Sequence, residues 1–127
     1  AKCGASIIND TYNANYDSMK AAIEYLEKIE GKRKIAVLGD MKELGDYSES
    51  LHRKVGEEVK NIDILITIGE LAKYIEETAD VRKMLHFDNN ESALEYLKKI
   101  MKKDDIILLK ASNSMKFGDI AKELILM

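Results

Sequence analysis

Polar side chains are concentrated in two short segments of this chain, and their types suit the binding of hydroxyl, phosphate and carboxylate groups. The first segment spans 9–15 and includes Asp10 and Tyr12, and the second spans 110–116 and begins with Lys110. An aspartate can accept hydrogen bonds from ribose hydroxyls, a tyrosine can stack or donate, and a lysine can meet a phosphate or carboxylate. Backbone N–H groups at a following helix start would add anion donors. Both segments therefore suit a polar ligand.

Each of these residues also has a structural interpretation. Asn and Asp after a strand often close turns or cap helices, and for any one residue this explanation is the more common. The functional interpretation gains weight because two such dense polar segments occur, 9–15 and 110–116. A third segment with polar character, 39–45, follows another apolar run and contains Asp40.

The secondary-structure elements that position these segments can be predicted from the pattern of apolar residues, in which strand-like runs alternate with helical spacing. Apolar runs typical of buried strands occupy 6–9, 34–38, 63–68, 84–87 and 105–109. Helical spacing of apolar residues follows each run, at 17–30, 48–60, 71–75, 90–101 and 117–125. Asp17 or Ser18 could cap the first helix, and Gly31 could end it. We therefore predict one domain over residues 1–127, a three-layer Rossmann-like α/β fold with a mostly parallel sheet and helices on both faces.

In such open sheets, ligands bind beyond the carboxyl ends of the strands. All three polar segments follow predicted strands, so we expect them at one edge of the sheet. The chain contains neither a GxxxxGK[ST] phosphate loop nor a GxGxxG fingerprint, and its glycines at 39, 45 and 69 are separate turn residues. We therefore expect an incomplete nucleotide site and no complete catalytic apparatus.

Composition narrows the class of protein further. Acidic and basic residues nearly balance, at 23 and 20, so no nucleic-acid-binding surface is indicated. The single Cys3 excludes an internal disulfide, and no membrane-length apolar run is present, so we expect a cytoplasmic protein without a membrane partner. His52 and His86 have no second ligand at a useful spacing, and we predict packed or surface histidines and no metal site.

Three ordered motifs resemble the Mur ligases, and specifically the branch that adds D-alanyl-D-alanine. Segment 8–15 (INDTYNAN), with DSM at 17–19, resembles D-D-[ST]-Y-N-A-N-P-x-S-M, and segment 36–45 (AVLGDMKELG) resembles V-L-G-D-M-x-E-L-G. Ser48 and His52 match the S-x-x-x-H that follows, and segment 109–115 (LKASNSM) resembles V-K-G-S-R-S-M. The match runs in order from about residue 6 to 124.

The departures from the family pattern are few. Asn9 replaces the first Asp of a pair, and Tyr16 stands where proline is common. Ala111 replaces a glycine, which could alter how closely the backbone approaches a substrate. Asn113 replaces a frequent arginine, so a charged contact could be missing.

The resemblance implies the C-terminal domain of an ATP-dependent enzyme that joins UDP-N-acetylmuramoyl-tripeptide to D-Ala-D-Ala for peptidoglycan. In this family a central domain holds the ATP phosphates and Mg²⁺, an N-terminal domain holds the UDP sugar, and the C-terminal domain closes over them. The implied nucleotide-binding residues are Asp10, Tyr12, Asn13 and Asn15, and the implied dipeptide-binding residues are Lys110, Ser112, Asn113 and Ser114. The resemblance assigns no catalytic residue to this chain. It implies that the isolated domain is inactive and that the full-length enzyme is a monomer.

One alternative from a different class is a phospho-receiver-like signalling domain. It has a similar length and fold and needs an Asp and a Lys at strand ends, for which Asp40 and Lys110 are available. It also needs an acidic pair after the first strand, where only Asp10 is acidic beside Asn9. A free-standing interaction domain is a third alternative that no residue excludes.

Overall fold

Five parallel strands form a single sheet in the computed structural model, which describes residues 3–11 and 14–126. The strands are β1 (Ser6–Asp10), β2 (Lys34–Gly39), β3 (Ile64–Ile68), β4 (Lys83–Phe87) and β5 (Ile106–Lys110). Their order across the sheet is β1-β5-β2-β3-β4, and every neighbouring pair is parallel. The last strand in the chain therefore lies between the first two, and the predicted parallel α/β architecture is confirmed.

In the described part of the chain, four α-helices connect the strands and a fifth follows the last strand. They are α1 (Tyr16–Lys28), α2 (Ser48–Glu57), α3 (Lys73–Glu76), α4 (Asn90–Ile100) and α5 (Phe117–Ile125), and short 3₁₀ turns occupy Gly45–Tyr47 and Asn113–Met115. Within the described ranges, no helix has the length and apolar character needed to cross a membrane.

Each face of the sheet carries its own hydrophobic core. Side chains alternate between faces along a strand, so Leu38 joins the core under α1, α2 and α3, and Val37 joins the core under α4 and α5. The central strands β2, β3 and β5 are buried on both sides. Burial on both sides explains why these strands read as continuous apolar runs instead of alternating ones.

The start of α1 differs from the prediction that Asp17 or Ser18 caps the helix. Asn15 is the cap: its side-chain oxygen accepts from the Ser18 N–H at 2.8 Å, and the Ser18 hydroxyl accepts from the Asn15 N–H at 3.0 Å. This reciprocal arrangement satisfies two N–H groups that the first helical turn leaves without partners. The apolar period of the helix begins only at Met19, so it does not locate the cap.

At the amino ends of β2 and β5, one arginine ties three segments together. The Arg33 guanidinium donates to both carboxylate oxygens of the buried Asp105, at 2.9 and 2.7 Å, and to the carbonyl of Ile100 at 2.6 Å. Asp105 also accepts from the Lys102 N–H at 2.8 Å. These contacts connect the end of α4 with the start of β5. They lie at the amino ends of the strands, opposite the polar segments.

We expect Arg33→Lys to lower the free energy of unfolding by about 1–2 kcal/mol, because an ammonium cannot reproduce the two-pronged contact with Asp105. Urea unfolding would measure the loss. The matched control is Lys32→Met, which removes an exposed ion pair with Asp104 at 3.4 Å and should cost less than about 0.5 kcal/mol. Equal losses in the two variants would contradict the structural role of Arg33.

Candidate functional site

The carboxyl ends of β1, β5 and β2 lie side by side, and the three polar segments of the sequence start there. Asp10 is in register with Lys110 across the β1–β5 pair, and Leu38 is in register with Lys110 across the β2–β5 pair. The insertion of β5 between the two earlier strands is what brings the segments together. The expectation that they share one sheet edge is confirmed.

Asp10 and Lys110 form an ion pair at this edge. The Lys110 ammonium lies 2.9 Å from a carboxylate oxygen of Asp10, with a lysine side chain only 2% exposed and an aspartate side chain 46% exposed. The apolar stem of Lys110 occupies the core, so the charge is buried in a place where a counter-ion is needed. In this pair the Asp10 carboxylate is accessible at the surface, whereas the Lys110 side chain is buried.

An open groove of about 460 Å³ runs beside this pair, between α1 and the sheet. Its floor is formed by Ile8 and Leu108, its wall by Ala21 and Tyr25 of α1, and the Asp10–Lys110 pair also lines it. Ser18 belongs to the lining too, and Tyr25 is largely exposed. The groove thus joins apolar surface to a carboxylate.

Asp40 follows β2 and is almost completely buried. One of its carboxylate oxygens accepts from the N–H groups of Leu71, at 3.0 Å, and Ala72, at 2.7 Å, and the other lies 3.3 Å from the Lys42 ammonium. The carboxylate therefore satisfies backbone donors in the segment that leads into α3. Its role in this arrangement is to connect the loop after β2 with the loop after β3.

Ser112 joins the loop after β5 to the loop after β2 through two hydrogen bonds. Its N–H donates to the Asp40 carbonyl at 3.0 Å, and its hydroxyl oxygen accepts from the Lys42 N–H at 2.8 Å. Ser112 is 8% exposed. The loops that end two neighbouring strands are consequently held as one unit.

His52, in α2, holds the middle of the same loop. Its Nε2 accepts from the Met41 N–H at 2.9 Å, and its Nδ1 lies 2.5 Å from the Ser48 carbonyl. An acceptor at Nε2 and a donor at Nδ1 define one tautomer of the neutral ring. Burial lowers the pKa of His52 from its ordinary value, which favours this neutral form. The expectation of a packed histidine is confirmed.

The other predicted site residues lie in different environments. Asn113 and Ser114 are exposed in the 3₁₀ turn after β5, next to Lys116, which has a left-handed backbone with φ 58°. Asn15 is exposed, with its side chain engaged in the cap of α1. Tyr12 and Asn13 fall outside the described residues.

Ala111 points away from the polar loops. It is fully buried, and a Cβ added to Gly39 would lie 2.7 Å from its methyl carbon and 2.6 Å from the Phe117 ring. The methyl group that distinguishes this chain from the usual glycine therefore packs in the core below α5. Because Gly39 has no side chain, the Ala111 methyl group and the Phe117 ring can pack against its backbone.

The phospho-receiver alternative does not fit this geometry. A phosphate-accepting aspartate must be open to solvent, whereas Asp40 is 3% exposed and bound to two backbone N–H groups. Lys110 pairs with Asp10 instead of facing Asp40. Among the described residues, no group of three or more His, Cys, Asp or Glu side chains could hold a metal ion.

Several residues of this network have no individual signal in the sequence. The N–H groups of Leu71, Ala72 and Lys42 act through the backbone, which any residue type carries. His52 had one usable signal, its fixed spacing from Ser48, because a histidine can bond to the carbonyl four residues earlier in a helix.

Comparison with known proteins gives a consistent result. The family model described as "Mur ligase, glutamate ligase domain" matches residues 1–113. The UDP-N-acetylmuramoyl-tripeptide–D-alanyl-D-alanine ligase of Bacillus subtilis is 43% identical over 96% of this chain, and that of Escherichia coli is 34% identical over 93%. This chain spans only 28% and 26% of those two proteins.

Solved structures agree with the sequence relatives. The MurF ligase of Thermotoga maritima, crystallised in complex with ADP, superposes with a TM-score of 0.81 at 31% identity, over 94% of this chain and 27% of that one. A MurF structure from Acinetobacter baumannii gives a TM-score of 0.78 at 28% identity, over 92% and 26%. On the family match over most of its length, supported by these relatives, the chain belongs to the Mur ligase family, as the glutamate ligase domain found in its members.

Proposed function

We propose that this chain is the C-terminal domain of an ATP-dependent ligase that adds D-Ala-D-Ala to UDP-N-acetylmuramoyl-tripeptide. The single observation that carries the proposal is 43% identity to a ligase of this name over 96% of the chain. The polar loops that start at one sheet edge supply side chains that suit this role. Because the chain spans 28% of that ligase, the other parts of the active site would come from other domains.

The nucleotide side of the proposed site is the loop after β1. Asp10 is half-exposed at the end of the strand, and its carboxylate can accept from ribose hydroxyls while Lys110 holds it in place. Tyr12, Asn13 and Asn15 are proposed to line the same side. The Thermotoga relative was solved in complex with ADP, which supports nucleotide binding in this family.

The dipeptide side is the loop after β5. The exposed side chains of Asn113 and Ser114 can contact a small polar substrate, with Ser112 behind them. Lys110 is buried against Asp10, so we propose that it acts on this side through the placement of the loop. An amide in place of the frequent arginine provides hydrogen bonds without a positive charge at position 113.

ATP phosphates and Mg²⁺ are proposed to be bound mainly by a domain other than this one. The chain has no phosphate loop, and the described carboxylates form no metal-binding cluster. Bound ATP would activate the carboxylate of the acceptor peptide. The residues of this chain would bind and orient the nucleotide and the dipeptide, and closure would exclude water from the site.

A chimera tests the proposal. The matching C-terminal segment of the Bacillus subtilis ligase would be replaced by this chain, and the D-Ala-D-Ala adduct and ADP would be measured. We expect the chimera to form the adduct, whereas the truncated Bacillus protein and the isolated chain each fall below it by at least about a thousandfold, because neither positions all reactants. Vigorous ATP hydrolysis by the isolated chain would contradict the proposal.

Within the chimera, Asn113→Ala should raise the KM for D-Ala-D-Ala by about tenfold, the effect of losing one or two hydrogen bonds to a substrate. The KM for ATP should change much less. Glu30→Gln, an exposed change after α1, is the matched control and should leave both constants unaltered. An equal rise of both KM values in Asn113→Ala would place this residue away from the dipeptide.

A further inference from the structure

His52 lies completely inside the domain, and its Nε2 accepts a hydrogen bond from the polar loop after β2. The Met41 N–H that it accepts lies between Asp40, whose carboxylate binds the start of the α3 segment, and Lys42, whose N–H binds the Ser112 hydroxyl. Three consecutive residues thus reach three different elements. The His52 imidazole, on α2, accepts from Met41, the middle residue of the three.

The arrangement depends on the charge state of the ring. The Met41 N–H is a donor and requires an acceptor, which Nε2 provides only when it carries no proton. Protonation would place two donors against each other in a buried position, and one of them would have to move. The Ser48 carbonyl accepts from Nδ1 in either state, so that contact does not oppose protonation.

The charges around the ring come from the same loop. Desolvation by burial lowers the pKa of His52 and outweighs the Ser48 carbonyl and the Asp40 carboxylate, which both favour the imidazolium. The Lys42 ammonium acts in the same direction as desolvation. On α2 and the helices packed around it, Arg53 pairs with Glu49 and Glu77, and the Tyr74 hydroxyl donates to Glu49. The Tyr16 hydroxyl donates to Glu58 in a part-buried contact, and the Lys54 ammonium lies over the Tyr16 ring.

We propose that neutral His52 is a positioning residue that holds the loop after β2, and through Lys42 the Ser112 end of the loop after β5, in the arrangement of the site. This inference deepens the proposed function and rests on it for its catalytic consequence. The hydrogen-bond chain itself, from Ser48 through His52, Met41 and Lys42 to Ser112, does not depend on what the site binds.

The sign of the pH effect follows from the lowered pKa. A histidine that is more acidic in the folded than in the unfolded state contributes stability above the unfolded value of about 6.5. That contribution is lost as the pH falls from this value towards the folded pKa. The site should therefore lose its order on the acid side, while the alkaline side is unaffected by His52.

Backbone amide NMR on the 127-residue chain tests the proposal without any ligand. We expect the amide signals of Met41, Lys42 and Ser112 to shift together during acidification, with one midpoint equal to that of the His52 ring. The protection of the Met41 amide from hydrogen exchange should fall by about tenfold or more across that midpoint. Independent midpoints for Met41 and Ser112, or no shift at Ser112, would overturn the proposal.

Variants separate positioning from simple packing. His52→Gln keeps an acceptor oxygen near the place of Nε2 and cannot titrate, so the three amides should become insensitive to acid while the fold is retained. His86→Gln removes the other histidine, on β4, and should leave the coupled transition unchanged. Persistence of the transition in His52→Gln would show that another group causes it.

In the chimeric ligase, His52→Gln should keep kcat near neutral pH and shift the acid limb of kcat/KM to lower pH. Identical pH profiles for the parent chimera and its His52→Gln variant would overturn the catalytic part of the inference. An inactive parent chimera would contradict the proposed function instead, and the amide titration would still decide whether His52 couples the two loops.

Discussion

Gly69→Ala is expected to lower the free energy of unfolding by about 3 kcal/mol, from backbone strain and steric overlap together. Gly69 has φ +111°, a conformation that residues with a side chain rarely adopt. An added Cβ would also lie 2.5–2.8 Å from the three carboxylate atoms of Asp40. The methyl group would thus push on the side chain that binds the Leu71 and Ala72 N–H groups.

The control for this prediction is Gly31→Ala. Gly31 also has positive φ, +74°, but a Cβ there would meet nothing within 4 Å. Its loss should be about 1 kcal/mol, the conformational part alone. Urea unfolding of both variants gives the difference, which reports the contact with Asp40 together with the less favourable φ of Gly69. Similar losses in the two variants would show that Asp40 moves away without cost and does not anchor the loop.

The second prediction concerns the ion pair at the ends of β1 and β5. Asp10→Asn should cost about 3 kcal/mol of unfolding free energy, because it removes the carboxylate charge that lies 2.9 Å from a buried ammonium. Lys110→Met should cost only about 1 kcal/mol. Methionine fills the space of the lysine stem, and the aspartate left behind is 46% exposed and can be hydrated.

A double-mutant cycle makes this asymmetry measurable. The Asp10→Asn/Lys110→Met protein should regain most of the loss seen in Asp10→Asn, because it contains no buried charge at this position. Unfolding free energies of the four proteins provide the coupling. A Lys110→Met loss equal to or greater than the Asp10→Asn loss would refute the view that the lysine serves to hold Asp10 at the surface.

Local patterns explain how much of this protein could be predicted. Runs such as 35–38 and 106–109 are apolar throughout, which is the composition expected of strands buried on both faces. The bounds of α3 were harder to predict. Leu71, Tyr74 and Ile75 have helical spacing, but only Lys73–Glu76 forms α-helix. A short element has little periodicity of its own, so packing decides its length.

The amino-acid sequence by itself determined the family, the parallel α/β class and the three segments in which the polar groups lie. It did so because hydrophobic period and motif order are local properties of the chain. Only the tertiary structure decided what each polar group does. The Asp10–Lys110 and Lys42–Ser112 contacts depend on a strand order in which β5 enters between β1 and β2. The contact of the Asp40 carboxylate with Leu71 and Ala72 depends on the neighbouring positions of β2 and β3. That strand order results from contacts between segments that are distant in the sequence. As a result, Lys110 is buried and pairs with Asp10, whereas Asn113 is exposed.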